Sequence, residues 1–285
     1  MREKVSTAEK TKIFYNQMAN EYDDLWVYDK AIYDQMHPVL IQYAVKLPKT
    51  KVLDVGCGTG AQSLIMAELG FDVCGIDISS GLLRKAKEKL RKNRCSAEFI
   101  QSSCTDLPFQ KKTFDVEVCF YNVINHVPEY EVALKEMSRV LKRNGLMFLQ
   151  VDKTSMIDIF YEVLDYILGG KLGYHETKEN IVNHILHHNR NYVITWAEEN
   201  YISLKCWRFS PAQIERFFRN ESLQIRAKIG MKILQSLIPW SLETSSIRSI
   251  KTIVSFLGKL DKKISRRWPF NSIGLGTIYV LQKTR

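Results

Sequence analysis

Asp54, Gly56, Gly58 and Gly60 occupy alternate positions of one short run, Asp54-Val55-Gly56-Cys57-Gly58-Thr59-Gly60. Glycines at that spacing let the backbone turn sharply and let a ligand approach with no Cβ in the way. The run follows an apolar strand pattern at Lys51-Val52-Leu53 and precedes a helical pattern at 61–69, so it reads as a strand-to-helix turn. Amide N–H groups at the start of that helix are then free to donate to a polar or anionic ligand. The spacing departs from the G-x-G-x-x-G fingerprint of dinucleotide sites, and a carboxylate two residues before Gly56 would repel a pyrophosphate. The same carboxylate attracts a cationic ligand in a partly dry cleft. A second acid, Asp77, ends the next strand pattern at 71–77. There it can accept hydrogen bonds from both hydroxyls of a ribose; otherwise it is a solvated acid at a strand end.

His126 is the candidate general base, because an unperturbed imidazole titrates near neutrality. It stands in Asn122-Val123-Ile124-Asn125-His126-Val127-Pro128, directly after a fourth strand pattern at 113–121. Such segments face the ligand crevice in open α/β sheets. The alternative is a packed His that only steadies the turn. Tyr121 and Asn122 are candidates for the wall of the same pocket. His184, His187 and His188 share one face of a helical pattern at 180–189, with His175 upstream. No acidic or Cys partner is obviously placed beside them, so no metal is assigned. His184 and His188 are read as pocket lining or as an ordinary helix face.

The elements that must position these residues alternate. Strand patterns at 51–55, 71–77, 97–101, 113–121 and 146–151 are separated by helical patterns at 61–69, 79–92 and 129–141, as in a parallel sheet. With this background the glycine run resembles the first motif of class I S-adenosylmethionine-dependent methyltransferases. Thr105-Asp106-Leu107-Pro108-Phe109 resembles the family's D-L-P-F turn. Arg139-Val140-Leu141-Lys142-Arg143-Asn144-Gly145 resembles its R-V-L-K-P-G-G turn, with Arg143-Asn144 in place of Pro-Gly. The likeness runs from about residue 14 to 149, resumes loosely at 209, and is strongest to the small-molecule branch of ubiquinone, menaquinone and lipid enzymes.

The resemblance implies an α/β, Rossmann-like fold: a seven-stranded, mostly parallel sheet of order 3-2-1-4-5-7-6, helices on both faces, and a helical and hairpin substrate cover. It implies S-adenosylmethionine as methyl donor and S-adenosylhomocysteine as product. The cofactor residues it implies are Asp54, Gly56, Cys57, Gly58, Gly60, Asp77, Ile78, Asp106, Leu107, Tyr121 and Asn122, with Asp106 toward the adenine amino group. Asp106 equally suits a plain turn. Tyr15 and Tyr22 fall in an N-terminal helical pattern like those that lid the pocket in this family, or in a cap that never meets ligand. Methyl transfer needs alignment and exclusion of water more than a catalytic triad, and no triad is visible.

The chain of 285 residues is long enough for a full core. It divides by pattern into N-terminal cap helices (1–45), a cofactor-binding core (46–151), a substrate-cover insertion (152–208) and a C-terminal part (209–285) with a basic amphipathic insertion at 231–270. Six cysteines without C-x-x-C spacing favour reduced thiols in a cytoplasmic protein. The first residues are too polar for a signal peptide, and no apolar stretch reaches membrane-spanning length. The formal charge is +10, and residues 231–285 hold ten Lys and Arg against two acids. Within 247–268 the apolar and basic residues segregate, so that helix either packs its stripe on the fold or lies peripherally on an anionic membrane. A small, apolar or lipid-like acceptor is the expected substrate. An RNA or tRNA acceptor, or a silent cofactor-binding protein, are the alternatives. Nucleic acid is disfavoured by the lack of an N/D-P-P-Y/F motif or an RNA-binding module. Nothing fixes the oligomeric state.

Overall fold

The structure is a computed structural model that describes residues 6–25, 30–48, 50–153, 156–174, 176–187, 192–199, 202–243 and 247–285. The chain opens with helices α1 (Thr7–Met18), α2 (Tyr22–Leu25) and α3 (Lys30–Ala44). An alternating core follows: β1 (Lys51–Val55), α4 (Ala61–Glu68), β2 (Asp72–Asp77), α5 (Ser80–Lys92), β3 (Glu98–Gln101), β4 (Phe114–Cys119), α6 (Tyr130–Val140) and β5 (Leu141–Asp152). The segment that the sequence suggests as a cover comprises α7 (Met156–Ile167), α8 (Lys178–His187), β6 (Tyr192–Glu199) and β7 (Ile202–Arg208). The chain returns through α9 (Pro211–Asn220), β8 (Leu223–Met231), α10 (Trp240–Glu243), α11 (Arg248–Ile264) and β9 (Gly276–Lys283).

Seven strands form one sheet in the order β3-β2-β1-β4-β5-β9-β8, and β6 and β7 pair apart from it as a hairpin. Counting only the strands of the large sheet, this is the expected order 3-2-1-4-5-7-6. Strands β1 to β5 are parallel, and β9 runs antiparallel to both β5 and β8. Parallel strands covered on both faces read as continuous apolar runs, and β1 buries every residue after Lys51. Met36 and Leu40 of α3 join Val52, Val116 and Phe148 on one face, while Leu134, Met137 and Phe218 of α6 and α9 join Val55 and Leu149 on the other. The order reverses at β1, flanked by β2 and β4. This opens the crevice beyond the carboxyl ends of β1, β2 and β4, where ligands of such sheets bind.

One local reading changes. The Arg143-Asn144-Gly145 run belongs to β5, which starts at Leu141 and carries an irregular register between Phe114 and Val116 of β4. Asn144 adopts a φ of 64°, and Lys142 anchors the bulge by an ion pair to Asp115 at 2.8 Å. In α7 two acids share the buried face with Ile159. Glu162 and Asp165 are buried while Phe160 and Ile167 are exposed, because the acids have partners inside. Glu162 meets His184 Nδ1 at 2.7 Å, and Asp165 accepts from the backbone N–H groups of Leu172 and Tyr174, closing the glycine-containing turn after α7.

Glu117 of β4 is fully buried, and neither carboxyl oxygen has a hydrogen-bond partner among the described residues. Burial drives its pKa well above the usual carboxylate range, and the Lys283 ammonium only partly opposes this. A carboxyl raised in the folded state contributes stability below its unfolded pKa and loses it as pH rises toward the folded pKa. Glu117→Gln should therefore gain stability over the natural chain at pH 8, by about 1–3 kcal/mol, and much less at pH 4.5. Thermal melts at both pH values check this, and an equal effect at the two would refute it.

Candidate active site

Beyond Val55 the backbone turns through left-handed glycines, with φ of +66° at Gly56, +52° at Gly58 and +79° at Gly60. A Cβ on Gly56 would lie 2.4 Å from Val123 Cγ2, and one on Gly60 would lie 3.0 Å from Ala86 Cβ. A Cβ on Gly58 would meet nothing, so that peptide is open to the crevice. Asp77 holds the loop from the end of β2. Its Oδ2 accepts from the Gly58 N–H at 3.0 Å and its Oδ1 from the Ser79 N–H at 2.8 Å. Desolvation outweighs these bonds and pushes its pKa up to about 6. Each oxygen keeps acceptor capacity toward the crevice.

Gly56 to Thr59, Asp77 and Ile78 form one wall of a cleft that opens to solvent. Gly60 shapes the turn as the cap of α4 without lining the cavity. Asp54 does not line it either. Strand alternation sends its side chain beneath the loop, where Oδ2 accepts from Ser63 Oγ at 2.6 Å and burial lifts its pKa to about 7.

Ser102, Ser103, Cys104 and Thr105 make the neighbouring wall. The expected pair Asp106 and Leu107 is not there. Asp106 is exposed and Leu107 belongs to the core, because α6 grips this turn from behind. Leu107 N–H donates to Glu136 Oε2 at 3.1 Å, and Arg139 donates to the carbonyls of Leu107 and Phe109. The Ser and Thr cluster just before the acid is the part of this turn that meets the cavity.

The opposite side is aromatic. Tyr15, Tyr22, Tyr121, Val123 and His126 line it, and Tyr15 makes edge contacts with Tyr22 and His126 at centroid distances of 6.1 and 6.3 Å. His126 is buried in a 3-10 turn after β4, and desolvation raises the Tyr15 phenol above its ordinary pKa, helped by the nearby Asp77 carboxylate. Asn122 lies outside this wall. Its N–H donates to Gln150 Oε1 at 2.8 Å and its Nδ2 to Asp152 Oδ2 at 2.9 Å, so it ties the turn to β5. Tyr121 and Asn122 both sit at left-handed φ, 62° and 59°, a strained pair that swings Tyr121 toward the crevice. His184 is buried between α7 and α8 and does not reach the cavity, having Glu162 as partner. His188 and His175 lie outside the described residues.

The α1–α2 segment is latched across the mouth by residues that periodicity did not single out. Asn16 Oδ1 accepts from Ser79 Oγ and from the Gly81 N–H, at 2.8 and 2.9 Å. Asp23 accepts from Thr59 Oγ1 at 2.6 Å and pairs with Lys89 at 2.8 Å. Both contacts are long-range and tie the segment to the glycine loop and to the start of α5.

Residues 53–149 match the family model described as a methyltransferase domain. The chain is 26% identical to an uncharacterized protein of Methanocaldococcus jannaschii over 90% of this chain and 92% of that one. It is 36% identical to the ubiquinone biosynthesis O-methyltransferase of Pelagibacter ubique, over 43% of this chain and about half (51%) of that relative's length. A crystal structure of an S-adenosylmethionine-dependent methyltransferase from Methanosarcina mazei superposes with a TM-score of 0.54 at 19% identity, covering 86% of this chain and 97% of that one. That likeness is one of fold.

If the latch holds the mouth closed, Asn16→Ala and Asp23→Ala should each weaken S-adenosylmethionine binding by about tenfold, near the value of one or two hydrogen bonds. Calorimetric titration checks this; unchanged affinity in both variants would make the segment a cap without a binding role.

Proposed function

We propose that this chain, which carries a class I S-adenosylmethionine-dependent methyltransferase domain, transfers the methyl group to a small, apolar or lipid-like acceptor. The observation that carries the acceptor class is the aromatic and aliphatic wall of Tyr15, Tyr22, Tyr121, Val123 and His126 facing the glycine loop across one cavity. None of the described residues lining that cavity is Lys or Arg, so nothing in it would neutralise a phosphate backbone. Similarity to a quinone methyltransferase supports the same class.

The residues present fit the cofactor. The loop is free of Cβ at Gly58, and Asp77 offers acceptor capacity for ribose hydroxyls in the same wall. Ser103 to Thr105 flank the space for a base ring. S-adenosylmethionine supplies an activated methyl carbon on a sulfonium that leaves as a neutral thioether. The protein's work is then to align and to shield. Tyr15, Tyr22 and the latched α1–α2 segment exclude water, and the aromatic wall orients the acceptor. An acceptor nucleophile that carries a proton must lose it as the bond to carbon forms, and on this reading a ring nitrogen of His126, which lines the cavity, takes it. The basic 247–268 segment fits peripheral contact with an anionic membrane, where such an acceptor would reside.

The test is transfer of labelled methyl from S-adenosylmethionine into an extract, with the products split into organic, aqueous, nucleic-acid and protein fractions. Label is expected in the organic fraction and lost in Asp77→Ala. His126→Ala should lower kcat by about a hundredfold or more while cofactor affinity holds. Label in nucleic acid would overturn the acceptor class. Cofactor affinity should also fall as pH drops through about 6, where Asp77 protonates and loses acceptor capacity, and Asp77→Asn should abolish that dependence.

A further inference from the structure

No described residue of α7, α8 or α11 lines the cavity, yet these helices carry large apolar side chains on their outer surface. On α7, Glu162 and Asp165 are buried, while Phe160 and Ile167 are 61% and 71% exposed. On α8, Leu186 is 68% exposed. Tyr161 of α7 donates to the carbonyl of Leu237, itself exposed, and the short turn holding Leu237 packs on α11 through Gln235 Nε2, which donates to the Val254 carbonyl at 3.2 Å. From there α11 exposes Phe256. Large apolar side chains gathered in one neighbourhood mark an interaction site, unlike singly scattered ones.

Cations stand beside them. Six Lys and Arg between residues 251 and 267 are exposed. The single acid of that stretch, Asp261, is fully buried and accepts from the N–H groups of Ile233, Leu234 and Gln235, so it does not neutralise them at the surface. No helix among the described residues is long and apolar enough to cross a membrane.

We propose that the outer face of α7, α8 and α11 docks on a bilayer surface bearing anionic headgroups. Phe160, Ile167, Leu186 and Phe256 enter the acyl boundary and the cations of α11 meet the headgroups. Charge selects this occupant: a second copy of the chain would bring a like cationic rim against the first. The proposal builds on the reading of an apolar acceptor, but docking is measured without methyl transfer, so the two fail separately.

The experiment is co-sedimentation of the full chain with phosphatidylcholine vesicles, with and without phosphatidylglycerol, at low and high salt. Binding is expected only to the anionic vesicles and to weaken with salt. The double variant Phe160→Asp, Ile167→Asp should bind at least about tenfold less. Lys262→Glu and Lys263→Glu should each cost about fivefold or more. All variants should retain S-adenosylmethionine affinity, which reports an intact fold. Equal binding to both vesicle types, no binding to either, or an unaffected double variant overturns the proposal. So does a dimer of the natural chain that the double variant dissociates, which would make this face a self-interface. Label confined to water-soluble products in the extract assay, with vesicle binding intact, would remove the acceptor reading and leave docking standing.

Discussion

Asp77 accepts one backbone N–H from Gly58 and another from Ser79, so the loop after β1 and the start of α5 cannot move independently of the end of β2. Much of the site inherits its position from that arrangement. The glycine turn is held open to the crevice, α5 begins at a fixed angle, and Asn16 reaches the same helix start to bring α1 across the mouth. The carboxylate is costly to bury, as its raised pKa records, and two backbone amides offset only part of the cost. A polar ligand with hydroxyl donors would supply the remaining hydrogen bonds. The interaction that orders the loop therefore also biases the site toward such a ligand.

The parallel sheet was legible because strands covered on both faces leave continuous apolar runs, and the glycine turn because left-handed backbone demands glycine. Asp77 was legible from its place at the end of the second strand. The resemblance implies cofactor contacts for Asp54, Asp106, Leu107 and Asn122, which stand in or beside recognisable turns yet do not line the cavity. A turn pattern fixes where the chain bends, and not which way each side chain points. That direction is decided by partners remote in sequence: Ser63 for Asp54, the Glu136–Arg139 pair for Leu107, Gln150 and Asp152 for Asn122. Asn16 and Asp23 escaped notice for the same reason, since their partners lie in other elements.

Helix α7 shows a different limit. Apolar periodicity reports that a helix has two faces, and the inference that the apolar one turns inward assumes that no buried acid is better satisfied. Here Glu162 has His184, and Asp165 has two backbone amides, so both acids can be buried on one face with Ile159. Once those bonds form, the rotation of the helix is fixed, with Ile159 inside and Phe160 and Ile167 outside. Packing of the cover is thus specified by a few polar contacts, whereas packing of the sheet is specified by many apolar ones.

This difference bears on how an acceptor is chosen. The cofactor side is fastened to the sheet through β1 and β2, but the turn holding His126 is fastened twice. Asn125 exchanges hydrogen bonds with the backbone of Asp152 at the end of β5, and it also donates to the Trp207 carbonyl in the hairpin of the cover. Arg208, the next residue of β7, pairs with Asp152 and closes the loop of contacts. A change in the hairpin therefore displaces the His126 turn relative to a cofactor site that stays where the sheet puts it. On the proposed reading, the contacts of Asn125 and Arg208 therefore set where the His126 turn meets an acceptor, and the hairpin is part of the site without lining its glycine loop.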